Sequence, residues 1–255
     1  MESRIAEIEN VDLYYESPAQ ETLAIENLSF YVEKGEFVSI VGPSGCGKTS
    51  VLSLLTGLTK PTHGTVRVMG EPAGNLNGIG YMLQNDHLLA WRTVEENVLL
   101  GLRVKHLLTE ERKQRAFDLL DRYGLSAFRT SYPSELSGGM RQKVALIRTL
   151  AFDPELLLLD EPFSALDYQT RLSLADEVYS ILKSEGKTAL LVTHDIAEAV
   201  SLSDRVLVFT ARPARIRAEH TIGIDRSLTP FMRRNDPAFS HCFNTIWREL
   251  TTLET

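Results

Sequence analysis

Apolar residues fall in short, closely spaced runs separated by polar and glycine-rich turns. Residues 4–41 alternate short apolar stretches and end on Phe37, Val38, Ser39, Ile40 and Val41, a run that predicts a buried strand. A glycine-rich turn fills residues 42–47, and a helical pattern follows from Lys48 to about Thr56, closed by Gly57 and Pro61. Short strands are predicted within residues 64–83, carrying Val66, Val68, Ile79, Tyr81 and Leu83. From residue 92 to about 152 the texture is helical. Thr93 with Glu96 fits a capping box, and Thr109 caps a second helix that has Glu110 and Glu111 in its first turn and Gly124 as its stop. Strands and helices then alternate: a strand at 156–159, a helix over 168–185, a strand at 188–193, a helix over 195–202 and a strand at 206–209. Such alternation predicts an α/β fold with a mostly parallel sheet, interrupted by the helical insert. Near the end, Phe239, Phe243, Ile246, Trp247 and Leu250 lie at helical spacing, which predicts a helix docked on the domain.

Composition narrows the class. The chain has 255 residues, 43% apolar and 24% charged, enough for a sizeable core and unlike disordered or fibrous sequences. Its 27 basic against 34 acidic residues leave a formal charge of −7, the wrong sign for a protein that lives on nucleic-acid phosphates. No run of 18 apolar residues occurs, and the start lacks the basic-then-apolar pattern of a signal peptide. The two cysteines, Cys46 and Cys242, make no disulfide framework, and the six histidines lack metal-ligand spacing. The expectation is a soluble cytosolic chain.

Three segments carry chemistry. Gly42, Pro43, Ser44, Gly45, Cys46, Gly47, Lys48 and Thr49 fit G-x-x-x-x-G-K-[ST] between a strand and a helix. Glycines there let backbone amides turn toward phosphate oxygens, and the helix N-terminus adds partial positive charge. Lys48 then reaches the β- and γ-phosphates, and the Thr49 hydroxyl is a ligand for Mg²⁺. Asp160 and Glu161 end the apolar run at 156–159: Asp160 is placed to hold water of the Mg²⁺ shell, and Glu161 to polarise an attacking water. Third, the LSGGMRQ segment at 136–142 opens a helix about 90 residues beyond the glycine loop, with Ser137 as N-cap and two glycines that bare the amides. A chain that already has one phosphate cradle can use this second anion site for the nucleotide of another subunit.

The glycine loop, LSGGMRQ, LLLLDEP, the Ser164–Asp167 stretch at 164–167 and Thr193-His194-Asp195 occur in the order seen in ATP-binding-cassette (ABC) ATPases, which the chain resembles over residues 5–210. The resemblance implies a P-loop NTPase core with an N-terminal antiparallel β region and a helical subdomain. It implies a single 1–255 domain: 4–91 and 153–210 as core, 92–152 as the helical subdomain with the signature, and 211–255 as a C-terminal extension. It implies ATP and Mg²⁺ as cofactors, and a head-to-tail homodimer that sandwiches two ATP molecules. By resemblance, Gln84 looks like the glutamine that touches Mg²⁺ or the attacking water, and His194 like the histidine that contacts the γ-phosphate. Asp167 looks like the aspartate that crosses the dimer, and Tyr15, with Tyr14 competing, like the aromatic that stacks on adenine. Ser50 at the loop's end, and Ser137, Gly138, Gly139 and Gln142 of the signature, complete the nucleotide contacts that the resemblance implies.

The short insert, the single set of motifs and the lack of fused membrane spans suit a subunit that docks on separate integral membrane permeases. Residues 88–94, LLAWRTV, resemble the LLPW-x-TV segment of importers of nitrate, sulfonates, taurine and thiamine precursors, with Ala90 in place of proline. Residues 212–216 resemble that subfamily too, with Ala214 in place of glycine. An apolar cluster with Trp91 suits a groove for a partner's helix, core packing being the alternative. The resemblance thus implies a solute-binding protein reached through the permease, no nucleic-acid partner, and residence at the cytoplasmic face of the membrane. The competing readings are a soluble ABC ATPase acting on ribosomes or DNA–protein complexes, and a small-molecule P-loop kinase, which LSGGMRQ disfavours. Residues 211–234 hold six arginines and read as a solvated face, proximity to anionic lipid headgroups being the alternative. Cys46 at a helix N-terminus is expected to have a lowered thiol pKa and to react with maleimide unless MgATP protects it.

Overall fold

The computed structural model describes residues 4–17, 20–164 and 166–251, so Ala165 of the 164–167 motif and both ends of the 1–255 span lie outside the described residues. In chain order come β1 (Arg4–Ser17), β2 (Gln20–Glu33), β3 (Phe37–Val41), α1 (Lys48–Leu55), β4 (His63–Val68), β5 (Glu71–Pro72) and β6 (Ile79–Met82). The helical stretch holds α2 (Val94–Val98), α3 (Leu100–Val104), α4 (Glu110–Arg122) and α5 (Gly138–Leu150). Then follow β7 (Leu156–Asp160), α6 (Tyr168–Ser184), β8 (Thr188–Thr193), α7 (Ile196–Leu202), β9 (Arg205–Phe209), β10 (Ile216–Thr221), α8 (Pro230–Arg233) and α9 (Pro237–Thr251). Two compact units result: residues 1–77 with 175–255, and residues 78–174.

The first unit contains an antiparallel sheet in the order β2-β1-β4-β5. The residues 4–41 that read as short stretches are largely two 14-residue strands. Their buried faces meet in register, Ile8 against Phe30, Val11 against Leu28 and Leu13 against Ile25. Register shifts fall on either side of Val11, close to Asn10 at φ 48°, and Asn27 on the facing strand sits at φ 47°. Asparagine tolerates that left-handed region better than most side chains.

The same unit holds the order β10-β9-β3-β8, with β3 parallel to both β8 and β9 and only β10 antiparallel. All five residues of β3, all six of β8 and all five of β9 are buried, as strands covered on both faces must be. The tail helix docks here through Ile246, fully buried with Val41, Val200, Val208 and Ile224, while Trp247 points outward.

One expectation for residues 211–234 fails. Arg233 is wholly buried rather than solvated, because its guanidinium closes the C-terminus of α7: Nη1 donates to Ser201 O at 2.9 Å and Nη2 to Ser203 O at 3.0 Å. The last carbonyls of a helix lack intrahelical donors, and a cation suits that end of the dipole.

In the second unit β6 lies parallel to β7, followed and preceded by α2 to α5. The Thr93–Glu96 capping box forms as expected, and Thr109 caps α4 through Arg112 N. Leu83 falls one residue past the end of β6 and is exposed.

Candidate functional site

The glycine loop leaves β3 and enters α1 with Gly45 at φ 73° and Gly47 at φ 122°, conformations that side chains rarely adopt. A Cβ on Gly42 would lie 3.0 Å from both Cys46 Sγ and Phe209 Cβ, so the loop is folded tightly upon itself. Lys48 is buried, and its Nζ donates to Gly42 O at 2.8 Å and Pro43 O at 2.9 Å. The ammonium is thereby held across the mouth of the loop, where it can transfer donors to phosphate oxygens. Ser44, Gly45 and Thr49 are exposed, and Pro43, Gly47 and Ser50 half-buried.

Tyr15 is 42% exposed and its hydroxyl donates to Ser50 Oγ at 3.0 Å, which puts this ring beside the first turn of α1. His194 is brought to the loop by sheet register. Val41 and Thr193 are partners in the parallel pair, so Gly42 and the exposed His194 leave the sheet side by side. A cation that the sequence reading did not assign, Arg212, donates from Nη2 to Gly45 O at 2.9 Å.

Cys46 corrects an expectation. Although it precedes a helix, its side chain is buried, and desolvation pushes its thiol up, outweighing the nearby Lys48 charge that pulls it down. A lowered, maleimide-reactive thiol is therefore not what the loop contains.

In the second unit the same register logic joins two carboxylate-region residues. Met82 pairs with Leu159, so Gln84 and Glu161 both sit two residues beyond a matched pair, and Gln84 Nε2 donates to Glu161 Oε2 at 3.1 Å. Glu161 takes φ 44°, a sparsely populated conformation for a residue with a side chain and one that clusters at functional sites. Asp160 is buried at the end of β7, and the Tyr81 hydroxyl faces Asp160 Oδ2 at 3.5 Å. Burial, then the Asp160 charge, keep that phenol protonated far above its ordinary range.

Ser137 caps α5, its Oγ accepting from Met140 N at 3.3 Å, with Gly138 exposed and Gly139 half-buried in the first turn. A Cβ on Gly139 would come within 2.8 Å of Thr170 Cγ2. Asp167 is exposed and accepts from Thr170 N at 3.1 Å, so signature and aspartate are tied through one threonine.

A profile described as ABC transporter matches residues 25–164. The chain belongs to the ABC transporter family. It is 50% identical over 249 residues, 97% of this chain and 96% of the relative, to an uncharacterized ABC transporter ATP-binding protein, YtlC, of Bacillus subtilis. An aliphatic sulfonates import ATP-binding protein, SsuB 1, of Rhodococcus jostii is 46% identical over 75% of each chain. Among solved structures, the dimeric post-hydrolysis state of the ATP-binding cassette MJ0796 bound to ADP and Pi gives a TM-score of 0.76 at 32% identity, covering 85% of this chain and 98% of that one.

As an ABC transporter chain, this protein binds and hydrolyses ATP, with hydrolysis coupled to transport. In the signature, Gln142 is buried, and its Nε2 donates to Pro162 O. Sequence reasoning also missed Asn97, Arg141 and Arg148, buried or half-buried polar residues on α2 and α5. The spacing of seven between the two arginines, two helical turns on one face, was the available signal.

Proposed function

We propose that the chain is the ATP-driven motor of an importer that takes up a small solute of the nitrate, sulfonate, taurine or thiamine-precursor type through separate integral membrane subunits. The observation that carries this reading is Trp91: in the segment 88–94 that resembles these importers, its indole is 73% exposed, a surface for a partner instead of core packing. The motor works as a homodimer, a second copy of the chain offering its Ser137, Gly138, Gly139 and Asp167 to ATP held on the glycine loop. Among the described residues no helix is long and apolar enough to cross a membrane, which suits a peripheral subunit at the cytoplasmic face. A solute-binding protein completes the system from the far side of the permease. Nothing in the fold favours the ribosomal or DNA-associated alternative.

The chemistry follows from the donors. Lys48 and the loop amides of residues 44–49 hold the β- and γ-phosphates, with Tyr15 against the adenine and His194 at the γ-phosphate. Thr49 carries a hydroxyl oxygen, and Asp160 and Gln84 carry carboxylate and amide oxygens, each a hard donor of the kind that Mg²⁺ takes. Such donors would hold Mg²⁺, whose charge would offset the charge that builds on the phosphate oxygens. Glu161, oriented by Gln84, accepts a proton from the attacking water; oxygen bonds to the γ-phosphorus, the β–γ bridge breaks, and ADP and phosphate leave.

A native pull-down of tagged protein from solubilised membranes, with partners identified by mass spectrometry, tests the importer reading. Capture of an integral membrane subunit with a solute-binding protein is expected. Ribosomal or DNA-repair partners without any membrane protein would refute transport and leave the ATPase chemistry intact. Glu161→Gln is expected to bind ATP normally, trap the dimer in MgATP and lose roughly 10²–10⁴-fold in turnover. Near-normal phosphate release from that variant removes Glu161 from its role.

A further inference from the structure

The segment between Gln84 and Trp91 is held by the signature helix. Arg141 and Arg148 project from one face of α5. Arg148 Nη1 donates to His87 O at 2.9 Å and Nη2 to Asp86 O at 2.7 Å, so one planar guanidinium grips two successive carbonyls. Arg141 Nε donates to Asp86 Oδ2 at 3.0 Å while its Nη1 donates to Leu136 O at 2.9 Å, the residue before the Ser137 cap. Asp86 Oδ1 in turn accepts from Leu88 N at 3.1 Å.

The loop is fixed from its other end by Asn97. This fully buried amide accepts from Leu89 N at 2.8 Å and donates to Leu89 O, Arg92 O and Thr93 O at 3.2, 3.1 and 2.9 Å. A saturated buried amide is costly to rearrange, so the turn that presents Trp91 is preset. His87, at φ 43°, marks the bend where the two anchored ends meet. An unbroken chain of hydrogen bonds thus runs from Leu136 through Arg141, Asp86 and Leu88 to the Trp91 loop.

We propose that Arg141 and Arg148 are positioning residues that make the signature turn 137–139 and the Trp91 loop one moving body, so that nucleotide at the signature and a partner on Trp91 each bias the other. The identity of that partner rests on the importer reading; the clamp itself does not. Two discrete positions of one rigid body are a sufficient carrier of such coupling.

Only two tryptophans are present, Trp91 and Trp247, so Trp247→Phe leaves Trp91 as the sole indole reporter in the full-length chain. Without nucleotide, adding Arg148→Ala is expected to lower Trp91 anisotropy and raise its acrylamide quenching about twofold; unchanged values would overturn the clamp. In a Glu161→Gln background, MgATP is expected to shift Trp91 emission, and Arg148→Ala is expected to abolish that shift while nucleotide affinity stays within about threefold. An undiminished shift in Arg148→Ala, or a trapped dimer with no Trp91 response at all, overturns the coupling. If MgATP traps no dimer yet Arg148→Ala loosens the loop, the ATP-sandwich reading fails and the clamp stands. Should Arg148→Ala fail to fold, Asp86→Asn keeps both main-chain acceptors of Arg148 but leaves one acceptor oxygen where two are used, so it loses either the Arg141 Nε or the Leu88 N bond, and is expected to give about half of each effect.

Discussion

Replacing Arg233 by methionine keeps most of the apolar stem and removes the guanidinium that closes α7. The two bonds lost, to Ser201 O at 2.9 Å and Ser203 O at 3.0 Å, are charge-assisted, and the longer approach to Ile224 O at 3.5 Å adds little. Hydrogen bonds to a charged group contribute about 1.5–3 kcal/mol each, and their loss leaves buried carbonyls without a donor. Part of that is offset, because burial already disfavours the charged guanidinium and pulls its pKa down. The balance is a destabilisation of about 3 kcal/mol. For a chain of this size each kcal/mol moves Tm by roughly 2–4 °C, so a fall of about 6–12 °C is expected by calorimetry. Arg217→Met, at an exposed arginine of the same tail, serves as control and is expected to change Tm by less than about 2 °C. Equal Tm values for the two variants would refute the assignment of Arg233 as a buried helix cap. ATP affinity is expected to be the same in both, since neither residue faces the glycine loop.

Lys48→Ala removes the ammonium held across the loop mouth and is expected to weaken ATP binding roughly 10–100-fold, measured by titration with a fluorescent nucleotide; an unchanged affinity would sink the loop assignment. Burial raises both thiols, so access decides the order: maleimide is expected to modify the half-buried Cys242 first and the buried Cys46 only in denaturant. Peptide mapping that finds Cys46 labelled first, with or without MgATP, contradicts that order. The Asp167 carboxyl is held below the usual carboxylate range, chiefly by its bonds with Thr170. A lowered pKa in the folded chain means that this contribution is complete above the ordinary carboxylate range and is lost only as pH falls through the lowered value. A carboxyl-carbon NMR titration of Asp167 is expected to show that lowered midpoint, and a Thr170→Val variant to keep part of it through the Thr170 amide.

What was legible in the sequence is what local rules determine. The Thr93–Glu96 box, the Ser137 cap and the start of α1 at Lys48 depend on residues within one helical turn of each other, and each appears in the fold. Strand ends were legible too, because glycine at 42 and the acidic pair at 160–161 stop apolar runs abruptly. The register that sets His194 beside Gly42, and Gln84 beside Glu161, pairs strands far apart in the chain, so periodicity alone could not supply it. Side-chain burial was the least legible property. Cys46 is buried in a loop folded so tightly that its Sγ lies beside Gly42, and Arg233 is buried because α7 ends with open carbonyls that no pattern in residues 211–234 announces.

The strand order of the first unit sets a schedule for synthesis. Within that unit β3 pairs only with β8 and β9, whose residues follow it by about 150 positions. At roughly 5–20 residues per second on the ribosome, the segment at 37–41, fully buried in the fold, and the glycine loop behind it emerge about 8–30 s before their sheet exists. During that interval the two long antiparallel strands can form their own ribbon, since β1 and β2 are neighbours in sequence. The nascent chain therefore passes through a stage in which an edge-exposed, valine- and isoleucine-containing strand awaits distant partners, the kind of segment that chaperones shield. A premature stop anywhere before residue 188 leaves that strand unpaired, so truncated chains are destined for degradation or aggregation and never for a half-working ATPase.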